Sequence, residues 1–279
     1  MKKIDLHTHT DISDGSETPE AAVRLAKSLG LAAIAVTDHD AAAGVRRAKA
    51  EGEKCGVEVV SGIELGCGWH GSEVHMLGYG VDPDDRGLAS VLDRIVRDRH
   101  ERNVKMAKLL SDDGIEIDVA ELERRHPGSV IGRPHFALCL VEAGIAESVK
   151  DAFNRFLDPG RKYYVRRHFL SLEEGAELII AAGGRPVIAH PLQYKLSDEG
   201  MTELLEKAVS VGVCGLECRY SGYGEETVQR LLRLAADYGL CPTGGSDWHG
   251  SHKPHISMGS GEHGELCVPY DYLEALMKR

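Results

Sequence analysis

At 279 residues and 42% hydrophobic, the chain is long enough to bury a large α/β core, with 32 Gly to supply tight strand-to-helix turns. Its 44 Asp and Glu outnumber 33 Lys and Arg, and the net charge of −11 excludes a generally basic nucleic-acid surface. No apolar run is long enough to span a bilayer, no secretory leader is visible, and the seven Cys are scattered without a Cys-x-x-Cys pair; a cytoplasmic, membrane-free protein with free thiols is expected.

Ile4, Leu6 and Thr8 alternate with Asp5, His7 and His9, the period of a strand whose two imidazoles project from one face. Such a pair can share a metal ion, with Asp5 behind them in the same row to orient one ring. Ser13-Asp14-Gly15 reads as a turn that returns a further carboxylate over the strand end. Thr18-Pro19-Glu20 opens a helix that Gly30 closes, and an apolar strand over 31–36 then ends in Thr37-Asp38-His39-Asp40. A helix is expected over 43–55, a third strand over 57–63 closing on Glu64, and a fourth over 73–79 containing His75.

Near Asp85 the alternation breaks. A long helix to about 110 and shorter ones over 119–125, 134–143 and 149–157 follow without a strand between them. Residues 99–165 are therefore set apart as a small helical insertion, with 1–98 and 166–279 forming the main domain. Alternation resumes with a helix over 172–182, a strand over 185–189 ending in His190, and a helix over 199–211. A strand over 213–216 ends at Glu217 and a helix covers 224–238. The strand over 240–243 delivers Gly245-Ser246-Asp247-Trp248-His249 before a last helix near 270–278.

Seven strands alternating with helices imply a closed or nearly closed parallel barrel, whose chemistry lies at the C-terminal strand ends. Those ends supply His7, His9, Asp14, His39, Glu64, His75, His190, Glu217, Asp247 and His249. Any one of them is an ordinary polar strand end; so many at equivalent places point to a metal site. His and carboxylate without thiolate suit Mn, Fe or Zn at a catalytic centre.

Taken together, His7-Thr8-His9 with Ser13-Asp14-Gly15, Thr37-Asp38-His39-Asp40, Gly62-Ile63-Glu64, His75, Ala189-His190-Pro191 and Gly245-Ser246-Asp247-Trp248-His249 resemble the PHP (polymerase and histidinol phosphatase) family. The resemblance implies a distorted seven-stranded (β/α) barrel holding three divalent metal ions, Mn foremost and Zn or Fe as alternatives. It implies that His7, His9, Glu64 and Asp247 hold one ion, and that Glu64 bridges to a second completed by His75 and His190. Asp14, His39 and His249 would hold the third. Glu64, His190 and Asp247 are then the catalytic residues of a phosphoesterase, in which a metal-bridging hydroxide attacks phosphorus without a covalent enzyme intermediate.

In the insertion, Gly132-Arg133-Pro134-His135 marks a helix start whose free N–H groups, with Arg133 and His135, would bind a phosphate. Arg161, Lys162, Arg166 and Arg167, beside Tyr163 and Tyr164, could hold a second phosphate and stack a base, making the insertion a substrate-binding lid. The Gly-Arg-Pro-His motif resembles the PHP subgroup of nucleoside 3′,5′-bisphosphate phosphatases and 5′-to-3′ exonucleases on short RNA. The implied partner is a small phosphorylated substrate, a nucleotide or short RNA, and no stable protein partner is expected. Histidinol-phosphate phosphatase activity is the enzymatic alternative. A metal-binding module without activity is disfavoured by the complete ligand set, and a polymerase-associated module by the absence of any polymerase sequence.

Overall fold

The computed structural model describes residues 2–279. It divides into two compact units, one running to Ser90 and resuming over Phe169–Arg279, the other Val91–His168.

The first unit is built on β1 (Lys3–Thr8), β2 (Ala33–Val36), β3 (Glu58–Trp69), β4 (Ser72–Tyr79), β5 (Leu170–Ser171), β6 (Arg185–Ile188), β7 (Gly215–Tyr220), β8 (Cys241–Gly245) and β9 (Val268–Pro269). Their order in the sheet is β8-β7-β6-β4-β3-β2-β1-β9, with β5 added beside β3. Beyond the end of β8 the chain returns to β1. The Asp247 amide donates to the His7 carbonyl and the His9 amide to the Trp248 carbonyl, each at 2.9 Å, which nearly closes the barrel. This approach needs a glycine, because a Cβ on Gly245 would collide with the His7 backbone.

Two expectations change. The barrel is not all parallel: β4 runs antiparallel to both β3 and β6, whereas β1–β2, β2–β3, β6–β7 and β7–β8 are parallel. The cause lies in β3, which continues for 12 residues instead of stopping at Glu64. Ile63, Leu65 and Cys67 stay buried past that carboxylate, within an unbroken buried run from Val60 to Cys67, as in a strand covered on both faces. His70 and Gly71, both at positive φ, then make the two-residue turn of a hairpin between Trp69 and Ser72. The second change is that the two-residue strands β5 and β9 join the seven longer ones.

Helices cover the barrel where the patterns place them. Pro19–Ser28 starts with Thr18 accepting from the Ala21 amide, and Leu172–Ala181 with a Ser171/Glu174 capping box. Ala22, Ala26 and Ala48 of Pro19–Ser28 and Val45–Cys55 pack on Ile34, Val36 and Trp248. Inside, Ile4, Leu6, Leu77, Tyr79, Val187 and Val268 form the barrel core.

The second unit begins within the helix Arg86–Ser111 and adds Val119–Arg125, Arg133–Glu142 and Val149–Ala152, the last running into a π-turn at Phe153–Leu157. Its own core is made by Met106, Leu110, Leu122, Phe136, Leu140 and Leu157. A unit with its own apolar centre is what a domain-like insertion requires.

Candidate metal centre

Strand alternation in β1 sends His7 and His9 the same way, and both are fully buried. Residues just past β2, β6 and β8 bring His39, His190, Asp247 and His249 to the same end, and the loop after β1 adds Asp14. Glu64 and His75 come from strand interiors rather than strand ends, on the paired strands β3 and β4. His190 and Asp247 hold positive φ angles of 22° and 56°, conformations that non-glycine residues avoid unless their surroundings impose them.

All nine side chains converge in overlapping groups: His9 with Asp14, His39 and His249; His7 with Glu64 and His190; His7 and His9 with Asp247; His39 with Glu64 and His75. Glu64 is the hub. Its Oε1 lies 2.8 Å from His75 Nδ1 and 3.0 Å from His190 Nε2. Its Oε2 lies 3.0 Å from His39 Nδ1, 3.2 Å from His9 Nε2 and 3.3 Å from His7 Nε2. Asp247 Oδ1 is 3.2 Å from His9 Nε2, and Asp14 Oδ1 is 3.2 Å from His249 Nε2.

These atoms are close without being satisfied. His7 Nε2, both ring nitrogens of His9, His190 Nδ1 and Glu64 Oε2 are buried with no aligned hydrogen-bond partner. Several such orphans at one point cost more than a fold tolerates without return. Divalent cations would satisfy those that face the cluster, and a purely N/O donor set is compatible with them.

Around the cluster, other groups position these side chains. Glu217 Oε1 lies 3.0 Å from His7 Nδ1, and its Oε2 accepts the His190 amide at 2.7 Å. Asp5, expected to orient a ring, does something else: its carboxylate accepts from the Ser246 amide and hydroxyl and the Gly259 amide, at 2.6–2.8 Å. It ties β1 to the segment beyond β8. Asp38 accepts from the Thr10 amide and the Thr10 and Ser13 hydroxyls, each at 2.7 Å, and so fixes the loop that carries Asp14. Asp247 Oδ2 is capped by the Tyr220 hydroxyl at 2.7 Å and the Lys253 ammonium at 2.8 Å.

Without an ion, charge within the cluster is balanced by protons. Burial would keep Asp14, Glu64 and Asp247 neutral, but the cationic groups facing them prevail and hold all three well below the usual carboxylate range. Burial likewise disfavours charge on His9 and His75, yet their carboxylate neighbours push them up to about 9 and about 10. His39 goes the other way, to about 3, because there burial wins.

The second unit contains the four residues expected at substrate. Arg133 is the first residue of its helix, behind an extended Gly132, and its guanidinium lies 5.6 Å from the Tyr164 ring centre and 5.9 Å from that of Phe153. His135 is buried, and its Nδ1 accepts the Gly132 amide at 3.1 Å, so it caps its own helix instead of reaching outward. Lys162 and the Tyr163 hydroxyl both pair with Asp113, and Tyr163 is buried against Phe156. That burial removes Tyr163 as a base-stacking surface. Arg161 is exposed, its carbonyl accepting the Tyr164 amide at 3.1 Å.

Residues 5–207 match the family described as the PHP domain. The chain belongs to that family. It is 33% identical over 251 residues to a Chromobacterium violaceum protein named 3′,5′-nucleoside bisphosphate phosphatase, covering 89% of this chain and 88% of that one. It is 31% identical over 248 residues to a Haemophilus influenzae 5′-3′ exoribonuclease, covering 89% and 90%. A solved structure described as a metal-dependent phosphoesterase from Bifidobacterium adolescentis superposes with a TM-score of 0.87 at 34% identity, covering 99% of this chain and 96% of that one. This PHP protein is accordingly a metal-dependent phosphoesterase, a hydrolase of phosphoric esters. No helix among the described residues is long and apolar enough to cross a membrane.

Three residues of this PHP site carry no motif of their own. Glu217 stands at an expected strand end without a reason, in sequence alone, to meet His7. Tyr220 extends the same strand by three residues. Lys253 lies in an irregular loop six residues past Asp247, where no period tells which way a side chain points.

Proposed function

We propose that this phosphoesterase removes the 3′-phosphate of nucleoside 3′,5′-bisphosphates, with His7, His9, Asp14, His39, Glu64, His75, His190, Asp247 and His249 as ligands of three divalent ions, Mn foremost. Bound there, such ions make water a nucleophile near neutral pH and cancel the charge that builds on a phosphoryl group. Glu64 offers one oxygen to the His75/His190 side and the other to the His7/His9/His39 side, as a carboxylate serving two ions must. Asp247 directs Oδ1 inward because Oδ2 is held from outside by Tyr220 and Lys253. The reading needs no covalent nucleophile from the protein, and two candidates near the cluster are poorly placed for the role: burial pushes the Cys218 thiol up to about 12, and the Ser13 hydroxyl is spent on Asp38.

The observation that carries the nucleotide reading is Arg133, a guanidinium at a helix N-terminus laid over two aromatic rings. That arrangement offers directional donors to a second phosphate and a flat surface suited to a base. The insertion, placed at 99–165, would then act as the substrate lid, with Arg161 adding a free-standing positive charge. Support also comes from the Chromobacterium relative's name. Exonuclease action on short RNA is the second reading, favoured by the Haemophilus relative. The test is a product screen on Mn-supplemented protein, comparing 3′,5′-bisphosphates, 5′- and 3′-monophosphates, short RNA and histidinol phosphate. The proposal expects the bisphosphate to give the highest kcat/KM, with inorganic phosphate and a 5′-monophosphate as products. Preference for RNA, with mononucleotides released, would move the assignment to the second reading.

A further inference from the structure

We infer that Lys253 is a substrate-contacting residue whose ammonium donates to a non-bridging oxygen of the phosphoryl group held at the PHP site. The inference rests on the phosphoester chemistry of that site and not on which ester is cleaved. Lys253 Nζ lies 2.8 Å from Asp247 Oδ2, while Oδ1 of the same carboxylate faces His9 Nε2 at 3.2 Å. One carboxylate thus separates the ammonium from the ring nitrogens proposed as metal ligands. An ammonium carries three donors, and Asp247 is the acceptor its side chain meets among the described residues. Two N–H groups therefore stay available, and the side chain is 35% exposed, open to an incoming anion.

The loop that carries this lysine is held in place. The Ser251 amide donates to Ser16 Oγ at 2.9 Å, and His252 Nδ1 lies 2.8 Å from the Asp14 carbonyl. Lys253 is in this way fastened to the same segment that presents Asp14. A fixed cation beside a phosphoryl group stabilises charge developing on its oxygens, and preorganisation makes that effect large.

A purely structural role would have Lys253 clamp Asp247 and nothing more. Tyr220 distinguishes the two, since its hydroxyl caps the same Oδ2 without a charge. The experiment measures metal content, kcat/KM on an aryl phosphate, and the affinity of inorganic phosphate for metal-loaded protein by calorimetry. Wild type is compared with Lys253→Met, Lys253→Arg and Tyr220→Phe. Lys253→Met should keep its metal, bind phosphate roughly tenfold or more weakly, and lose roughly ten- to a hundredfold in kcat/KM. Lys253→Arg should recover part of both losses, and Tyr220→Phe, which removes a hydrogen bond to the same oxygen but no charge, should weaken phosphate binding clearly less than Lys253→Met does. Loss of metal in Lys253→Met, equal effects of Lys253→Met and Tyr220→Phe on phosphate affinity, or unchanged phosphate affinity in Lys253→Met would each overturn the assignment.

Discussion

Glu217 grips His7 with one oxygen and the His190 backbone with the other, at 3.0 Å and 2.7 Å, from a fully buried position on β7. One carboxylate thereby sets the ring of one proposed ligand and supports the strained φ of another.

Glu217→Ala should then weaken metal binding by roughly ten- to a hundredfold, the usual effect of removing the partner that orients a ligating imidazole. It should also lower the melting temperature, because the His190 amide loses its acceptor in a buried place. Metal content after dialysis and a thermal melt test both. Full metal retention in the variant would show that His7 is oriented without Glu217.

Sequence made the converging positions visible but not this connection. Alternation in β1 was enough to pair His7 with His9, and the polar residues after apolar strands marked His39, His190 and Asp247. Which carboxylate meets which ring depends on strand neighbours. Asp5 shares a face with His7 in sequence, yet it bonds Ser246 and Gly259, while Glu217 reaches His7 from β7. Likewise Glu64 resembles a strand terminus because a carboxylate in a strand interior is costly to bury; here the surrounding imidazoles offset that cost. The two-residue strands β5 and β9 are too short to leave a pattern. In the insertion the helix start at Arg133 was legible, but not that His135 would turn back to cap it.

The pH dependence follows from protons that metal must displace. In ion-free protein His9 and His75 hold theirs up to about 9 and about 10, above the ordinary 6.5. Metal affinity should therefore rise with pH across neutrality and release protons on binding. For ion-free stability the signs differ by group. The contribution of these two imidazoles is fully present below 6.5 and is lost as pH rises through about 9 to 10. Asp14, Glu64 and Asp247, held low, contribute above the usual carboxylate range and lose that contribution on acidification. Calorimetric Mn titrations in buffers of different ionisation enthalpy measure the released protons; none released would contradict the assignment of His9 and His75 as ligands.

A direct displacement by water leaves a stereochemical record. Hydrolysis of a phosphorothioate substrate made chiral at phosphorus with oxygen isotopes should invert its configuration, the outcome of one in-line attack, whereas a covalent intermediate would give net retention. A phospho-enzyme trapped on any residue would rule this out.

Arg133→Ala should cost roughly one to three powers of ten in kcat/KM on a nucleoside bisphosphate, on the order of 1.5–4 kcal/mol, if its contact aligns the reacting phosphate. The loss should be smaller on an aryl phosphate, with metal content unchanged. Equal losses on the two substrates would place Arg133 at the reacting phosphate or in the fold of its own helix, and no loss on either would remove it from substrate binding.

The central claim is that the nine converging side chains hold divalent ions on which phosphoester hydrolysis depends. The measurement that tests it most directly is a titration of Mn into chelator-stripped protein while phosphate release is followed. Activity should be absent at the start, rise with Mn and saturate only after more than one ion per chain is bound, and Glu64→Ala should neither bind nor respond in this way. Full activity in stripped wild-type protein, or in Glu64→Ala, would contradict the account.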